Sequence, residues 1–181
     1  AIEVTPPTSV SNKVAPQKDF INVTIDKDNK VFLSMDDGIK DDVLDELAKE
    51  RNLTFTPEDK KNFEQAGFIG VPLSQLTQFL RLKPEQIKAT TLPGIPIDST
   101  NNELKTWISA AVNARLGLKL NFLIKGDDAA KYPTFKGVID AFKANDIYKY
   151  NLVTNAKQVP EGSELYKKNL REQLEGKKAG E

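Results

Sequence analysis

The feature that most constrains the fold is a pair of short segments in which apolar and polar residues alternate. Between them lies Asp26-Lys27-Asp28-Asn29, a run of residues that favour turns. Alternation with a period of two buries one face of a strand, and two such runs around a turn predict a β-hairpin over residues 20–35. The alternating apolar residues are Ile21, Val23 and Ile25 before the turn and Val31, Leu33 and Met35 after it.

Segments with helical spacing separate this hairpin from two further strand-like runs. Apolar periodicity predicts helices over residues 39–52 and 102–116, and a third from residue 132 with Asn145 in the left-handed position at its end. Alternation predicts strands over 118–124 and 147–154. Strands connected through helices favour an α/β (α+β) two-layer sandwich, with a small mixed sheet and helices on one face.

The remaining segments divide the chain into a domain and its extensions. Residues 1–18 contain three prolines and no sustained period, which predicts a flexible linker. Residues 19–154 form the predicted domain, and residues 39–98 within it are interpreted as a helical insertion. Residues 155–181 are polar and are predicted to be a partly helical tail.

Composition excludes several classes of function. The chain contains no histidine and no cysteine, so the commonest metal ligand, the usual general base and thiolate chemistry are all missing. Lys+Arg and Asp+Glu both total 26, and the basic residues are scattered, which argues against nucleic-acid binding. No serine hydrolase set, zinc-protease motif or phosphate-binding loop is present. We therefore expect no enzyme activity, no cofactor and no metal.

Few residues suggest a binding site. Asp127-Asp128 follows a predicted strand, where open α/β sheets often bind ligands, although a solvated loop that caps the next helix explains the pair better. Trp107 lies on an apolar helix face and is expected in the core. Tyr148 and Tyr150 share one face of the last predicted strand, and the sequence leaves open whether they are half-buried or face a partner.

No membrane-spanning segment is apparent in the sequence. No apolar run approaches the roughly 20 residues that a membrane helix requires, and the chain begins at Ala1 without a signal peptide. We interpret the chain as processed, or as a piece of a longer protein.

The ordered motifs of the C-terminal half resemble the periplasmic domain of the ExbD/TolR family. In that family a hydrophobic strand ends in Asp, a Tyr follows, a helix carries Val-Ile/Met-Asp, and a closing strand reads Lys-x-x-Leu-Val. The corresponding positions here are Asp127, Tyr132, Val138-Ile139-Asp140 and Lys149-Tyr150-Asn151-Leu152-Val153. The segment IEVTPPTSV is similar to the stretch that follows the family's single membrane helix.

The resemblance implies a transport function without catalysis. The chain would be the periplasmic part of an ExbD-like subunit, anchored to the bacterial inner membrane by an N-terminal helix absent here, and driven by the proton motive force. The implied partners are an ExbB-like channel subunit, a TonB-like protein and a second copy in a homodimer. An extended partner segment would pair along an open sheet edge. The residues expected at partner surfaces are Ile2, Val4, Pro6, Pro7, Asp127, Tyr148, Tyr150 and Leu152.

Two departures from the family pattern leave alternatives open. The helical insertion at 39–98 separates hairpin and helix, and the glycine before the closing strand is replaced by Asn145-Asp146. A TolR-like subunit of the Tol-Pal system remains the first alternative. The second is a periplasmic domain that binds a small ligand or peptidoglycan near Asp127 and Trp107.

Overall fold

The computed structural model describes residues 18–154, so the linker residues Ile2, Val4, Pro6 and Pro7 and the tail 155–181 lie outside the described residues. The described part contains five α-helices and six strands. The strands are β1 (Phe20–Ile25), β2 (Val31–Met35), β3 (Ile97–Asp98), β4 (Asn101–Asn102), β5 (Asn121–Gly126) and β6 (Asn151–Thr154). The helices are α1 (Asp37–Arg51), α2 (Pro57–Gln65), α3 (Leu76–Leu80), α4 (Glu103–Ala114) and α5 (Tyr132–Lys143).

The main sheet is mixed and has four strands in the order β2-β1-β5-β6. The predicted hairpin is confirmed, since β1 and β2 pair antiparallel from Ile21↔Met35 to Ile25↔Val31. β1 and β5 pair in parallel, as do β5 and β6, so these three strands begin at the same end of the sheet. A second, two-stranded sheet joins β3 and β4. These elements confirm the predicted α+β sandwich.

One face of the sheet packs on helices and forms the core. Ile21, Val23 and Ile25 of β1 are all at most 1% exposed, whereas the residues between them are half-buried. This alternation follows from the pleat, which directs successive side chains to opposite faces. Helix α5 contributes the fully buried Phe135 and Phe142 to the same cluster. The alternation of apolar and polar residues in β1 therefore corresponds to one buried and one half-buried face of this strand.

Residues 39–98 join this core instead of forming a separate body. Phe63 of α2 stacks on Trp107 of α4 with ring centroids 5.8 Å apart and planes 12° from parallel. Lys40 of α1 is buried, and its ammonium donates to the carbonyl oxygens of Glu64 at 3.0 Å and Ala66 at 2.8 Å. These bonds satisfy carbonyls at the end of α2, where a helix lacks internal donors. A buried cation and an aromatic pair thus fix α2 to the rest of the domain.

The same segment also covers the β2 edge of the sheet. Leu33 of β2 and Ile69 exchange two backbone hydrogen bonds of 2.8 and 2.7 Å, and the Ile95 amide donates to the Val31 carbonyl at 2.8 Å. Phe32 points to the opposite face from its neighbours and is covered there by Phe68, whose ring meets it edge-on at 5.6 Å. The segment therefore occupies the outer edge of β2 and reaches around it.

Two boundaries near the C-terminal end differ from those expected. The last strand begins at Asn151 instead of residue 147, because a tight turn over residues 144–146 ends helix α5 and residues 147–150 follow without pairing to β5. In that turn Asp146, with φ of 57°, occupies the left-handed position predicted for Asn145. Asn145 instead donates its side-chain amide to the carbonyl oxygens of Lys105 and Ala141.

Candidate functional site

The outer edge of β6 is the candidate interaction surface, and we call it the β6 edge. Within residues 18–154, β6 is a terminal strand that pairs with β5 alone, whereas the outer edge of β2 is bonded to Ile69 and Ile95. An unpaired strand edge presents a row of backbone donors and acceptors that an extended segment can use. The fold thus leaves one side of the main sheet able to accept a further strand.

The register fixes which groups of β6 point outward. The Asn121 amide donates to the Asp19 carbonyl across the β1–β5 ladder, so alternate β5 residues starting at Asn121 bond toward β1. Ile124 therefore bonds toward β6, where it lies opposite Leu152. In a parallel ladder a residue bonds to the two neighbours of its partner, so Ile124 bonds to the residues on either side of Leu152. The backbone groups of Leu152 itself, and of Thr154 two residues later, therefore point away from β5. Among residues 18–154, these two residues carry the outward-facing backbone donors of the β6 edge.

A cavity of about 440 Å³ adjoins the start of the β6 edge, and we call it the β6 notch. The ladder between β1 and β5 begins at Asn121, but that between β5 and β6 begins only at Leu123. Among the described residues, Asn121 and Phe122 at the start of β5 consequently have a ladder partner in β1 but none in β6. The notch lies where β6 would continue, and its lining consists of residues 119–122 and 146–151.

The two predicted tyrosines both line this notch but precede the strand. Tyr148 is 53% exposed, whereas Tyr150 is half-buried and packs on Phe142 with ring centroids 5.4 Å apart. Burial of the Tyr150 phenol raises its pKa, because the charged phenolate is disfavoured away from water. Tyr150 therefore supports the wall of the notch while Tyr148 faces solvent at its rim. The sequence-based placement of both residues on one strand face is wrong.

Asp127 serves the loop after β5. Its carboxylate accepts a hydrogen bond from the Ala129 amide at 2.9 Å, and its own amide donates to the Ile25 carbonyl at 2.9 Å. This arrangement is an Asx turn, a common way for Asp to organise a loop. The structure places Asp127 at the opposite end of β5 from the notch, so Asp127 and the tyrosines do not form one surface.

Trp107 lies in the core, as its helix face predicts. Its side chain is 1% exposed and stacks on Phe63, and neither the β6 notch nor a second cavity of about 260 Å³ includes it. That second cavity lies between α2, α3 and the following loop, against Phe79 and Leu80. The arrangement gives no support to a ligand site shared by Trp107 and Asp127.

Sequence reasoning missed two asparagines that position the site. Asn121 lines the notch and donates its side-chain amide to the Lys18 carbonyl at 2.8 Å, which holds the entry of the chain beside β5. Asn29 accepts from the Lys131 amide at 2.7 Å and so caps helix α5 from the distant hairpin turn. Each contact spans about a hundred residues of sequence, and no local pattern marks it.

An aspartate also stabilises the end of the sheet at which β1 begins. Asp36 accepts from the backbone amides of Gly38 at 3.1 Å and Asp19 at 2.7 Å. These bonds, with the nearby cations Lys18 and Arg115, lower the pKa of the Asp36 carboxyl below its ordinary value, against a smaller opposing effect of burial. Asp36 thereby caps α1 and fixes the entry to β1.

The described residues contain neither a cluster of three or more side chains suited to a metal nor a helix long and apolar enough to cross a membrane. The candidate site therefore consists of backbone groups, aromatic rings and surface lysines. Such groups bind an extended segment or a surface, which agrees with an interaction module.

Comparison with known proteins identifies the family of the chain. No curated protein and no solved structure matches the chain. The family model described as biopolymer transport protein ExbD/TolR matches residues 1–157, which is most of the 181-residue chain. Proteins of this family are transport-associated and membrane-associated and carry a periplasmic domain. The chain therefore belongs to the ExbD/TolR family of biopolymer transport proteins.

Proposed function

We propose that this chain is the periplasmic coupling module of an ExbD-like subunit, which binds an extended segment of a TonB-like protein along the β6 edge. The open β6 edge is the observation that supports this function. An added strand would pair with the outward backbone groups of Leu152 and Thr154, and side chains at alternate positions would give selectivity. The module would act without catalysis, as part of a complex driven by the proton motive force.

The covered β2 edge supports the choice of surface. Ile69 and Ile95 already use the backbone groups that a partner would need there. A strand added to the sheet is therefore directed to β6. In this proposal the segment 39–98 determines which edge remains available, and the module engages its partner from one side.

The wider assembly is part of the same proposal. A membrane helix preceding Ala1 would anchor the domain to the bacterial inner membrane beside an ExbB-like channel subunit, and two copies would form a homodimer in the periplasm. The predicted linker, with Ile2, Val4, Pro6 and Pro7, would supply a further extended segment for pairing. Sedimentation of the purified domain over a range of concentrations tests the homodimer.

An NMR titration tests the partner and its place of binding. Peptides from the periplasmic linkers of TonB-like and TolA-like proteins are added to the labelled domain. Saturable shifts at residues 151–154 with the TonB-like peptide support the proposal, and shifts with the TolA-like peptide alone would favour the TolR-like alternative. A panel without any shift at the β6 edge contradicts a peptide-binding module.

Two variants at one position separate backbone pairing from side-chain packing. Leu152→Pro removes the outward amide donor, which proline lacks, at an edge position where proline is tolerated. Leu152→Ala removes most of the same side chain but keeps the donor. We expect Leu152→Pro to weaken peptide binding on the order of tenfold more than Leu152→Ala, as for the loss of one hydrogen bond. Equal affinities of the two variants would exclude pairing at this edge.

A further inference from the structure

Three large apolar side chains lie exposed at the end of the sheet where β5 and β6 begin, and we call them the apolar tip. Leu116 is 74% exposed, Leu118 54% and Tyr148 53%. Nearby apolar residues such as Leu120 and Tyr150 pack against the core, whereas the three tip residues do not belong to that cluster. Exposed leucines grouped at one site indicate an interaction surface more strongly than scattered ones.

The backbone explains why the leucines project. Helix α4 ends at Ala114, and the chain then reverses through a turn in which Gly117 has φ of 80°, a conformation that favours glycine. The Leu118 amide closes this turn by donating to the Arg115 carbonyl at 3.0 Å. Leu116 and Leu118 therefore flank the apex of a turn. Protruding apolar side chains suit insertion into a soft surface, whereas a peptide binds more readily in a groove.

Cations without ion-pair partners surround the tip. Lys119 and Lys149 are exposed, line the β6 notch with Tyr148, and make no ion pair within residues 18–154. Asp146 is the carboxylate that lines the same notch. The pairing of lysines with protruding leucines and a tyrosine matches an interface that contains anionic lipid headgroups.

Three acidic residues at this end of the domain are paired with cations. Arg115 lies 3.2 Å from the Asp19 carboxylate and 3.6 Å from that of Asp42. Asp37 pairs with the Lys40 ammonium at 2.6 Å. These carboxylates are thus partly neutralised, and among the charged residues that line the notch the two lysines outnumber the single carboxylate of Asp146.

The apolar tip also lies where the N-terminal segment joins the domain. Phe20 of β1 pairs with Asn121 of β5, and the Lys18 carbonyl accepts from the Asn121 side chain at 2.8 Å. Residues 1–17 thus attach to the same end, and a chain of that length reaches at most about 60 Å when fully extended. If a membrane helix precedes the linker, as in the proposed function on which this step rests, the linker enters the domain at the tip and can bring the tip to the bilayer.

We propose that the apolar tip docks the domain on the surface of a bilayer that contains anionic lipids. Leu116, Leu118 and Tyr148 enter the interfacial region, and Lys119 and Lys149 bind lipid phosphates. Docking holds the β5–β6 end of the domain at the membrane, and release frees the β6 notch and the start of the β6 edge. The surface would thereby compete with a partner for the same end of the sheet.

Vesicle binding by the purified domain tests this proposal. The probes are vesicles of phosphatidylcholine alone and of equal parts phosphatidylcholine and phosphatidylglycerol, with the bound fraction measured by co-sedimentation. We expect binding to the anionic vesicles that falls at least about tenfold in Leu116→Ser/Leu118→Ser, from the lost apolar transfer. Lys119→Glu/Lys149→Glu should reduce it by a similar factor. The emission of Leu116→Trp should shift to the blue when these vesicles are added, after subtraction of the constant emission of the buried Trp107.

Matched controls and a second assay separate the possible failures. Leu82→Ser/Lys88→Glu changes an exposed leucine and lysine in another part of the domain and should bind vesicles like the wild type. No binding to anionic vesicles, or binding that the tip variants leave unchanged, overturns the docking proposal. Peptide binding at the β6 edge in the same samples would then show that the proposed function stands. Tip variants that lose peptide binding without any vesicle binding would identify a protein surface and also overturn lipid docking.

Discussion

The Asn29 side-chain oxygen lies 2.7 Å from the amide nitrogen of Lys131, a hundred residues further along the chain. The same oxygen accepts from the Thr134 hydroxyl at 2.9 Å. Helix α5 begins after Lys131, whose own side chain forms no capping bond. The hairpin turn therefore supplies the cap that this helix lacks, and it couples β1 and β2 to the helix before β6.

Loss of this remote cap should destabilise the domain. Asn29 has φ of 63°, so Asn29→Gly keeps the backbone conformation accessible and removes only the acceptor. We expect Asn29→Gly to lower the free energy of unfolding by about 1 kcal/mol, and Asn29→Ala by about 2 kcal/mol because alanine adds the left-handed strain. Urea denaturation measures both. An Asn29→Gly variant as stable as the wild type would contradict the capping role.

The turn after α5 allows a stabilising substitution. Asp146 has φ of 57°, and the Ile147 amide bonds back to the Phe142 carbonyl at 2.9 Å, which is the geometry of a Schellman motif. Asp146→Gly removes the left-handed strain and a negative charge at a helix C-terminus, so it should raise the unfolding free energy by about 1 kcal/mol. Asp146→Asn removes the charge alone and should give a smaller gain. If glycine lowers the thermal midpoint, the strain argument fails.

The sequence predicts the elements whose signal is local. The alternation of Val23 and its neighbours reports a strand with one buried face, and the sequence places the helices α4 and α5 by their apolar spacing. The last strand is different, because its predicted start depended on alternation through Tyr148 and Tyr150. After the Schellman turn at Asp146 the chain runs unpaired over residues 147–150 and pairs with β5 from Asn151 on, which alternation alone does not reveal.

The sequence predicts that the candidate site is a sheet edge, but it does not predict which edge. The family resemblance implied an open sheet edge, and Leu152 lies on it. Which edge is open depends on Ile69 and Ile95, which reach β2 through loop contacts without a sequence signature. Similarly, the expected partner surface includes both Asp127 and the tyrosines, but parallel strands place a residue after β5 far from residues before β6.

A close approach between α5 and β3 makes Gly137 necessary. A Cβ added at Gly137 would lie 2.8 Å from the Ile97 carbonyl oxygen and 2.7 Å from its Cδ1. Gly137→Ala should therefore destabilise the domain by about 1–3 kcal/mol, although alanine is the better helix former. Gly38→Ala in α1 is the matched control, since its Cβ would meet only the Asp36 carboxylate at 3.6 Å. We expect this control to be neutral or stabilising in the same denaturation assay, and equal losses for the two variants would contradict the steric argument.

The final prediction concerns pH and the acidic surface between α1 and α2. The Asp41 carboxyl, within hydrogen-bonding reach, raises the pKa of Glu64 above its ordinary value, with smaller contributions from burial and from Asp37. Between the ordinary glutamate pKa and the raised one, the folded state therefore binds more proton at Glu64 than the unfolded state does. Stability from this site is greatest below the ordinary glutamate pKa and declines as the pH rises through the ordinary value toward the raised one.

Glu64→Gln removes this pH dependence and should raise the thermal midpoint at neutral pH while leaving it nearly unchanged in acid. Glutamine keeps the size and the hydrogen-bonding capacity of the protonated acid, so the difference between the two pH values isolates the repulsion from Asp41. Glu85→Gln, an exposed glutamate in the loop after α3, is the matched control and should shift neither midpoint. A midpoint for Glu64→Gln that exceeds the wild type by the same amount at both pH values would show that the gain comes from packing. Repulsion between the two carboxylates would then not be its cause.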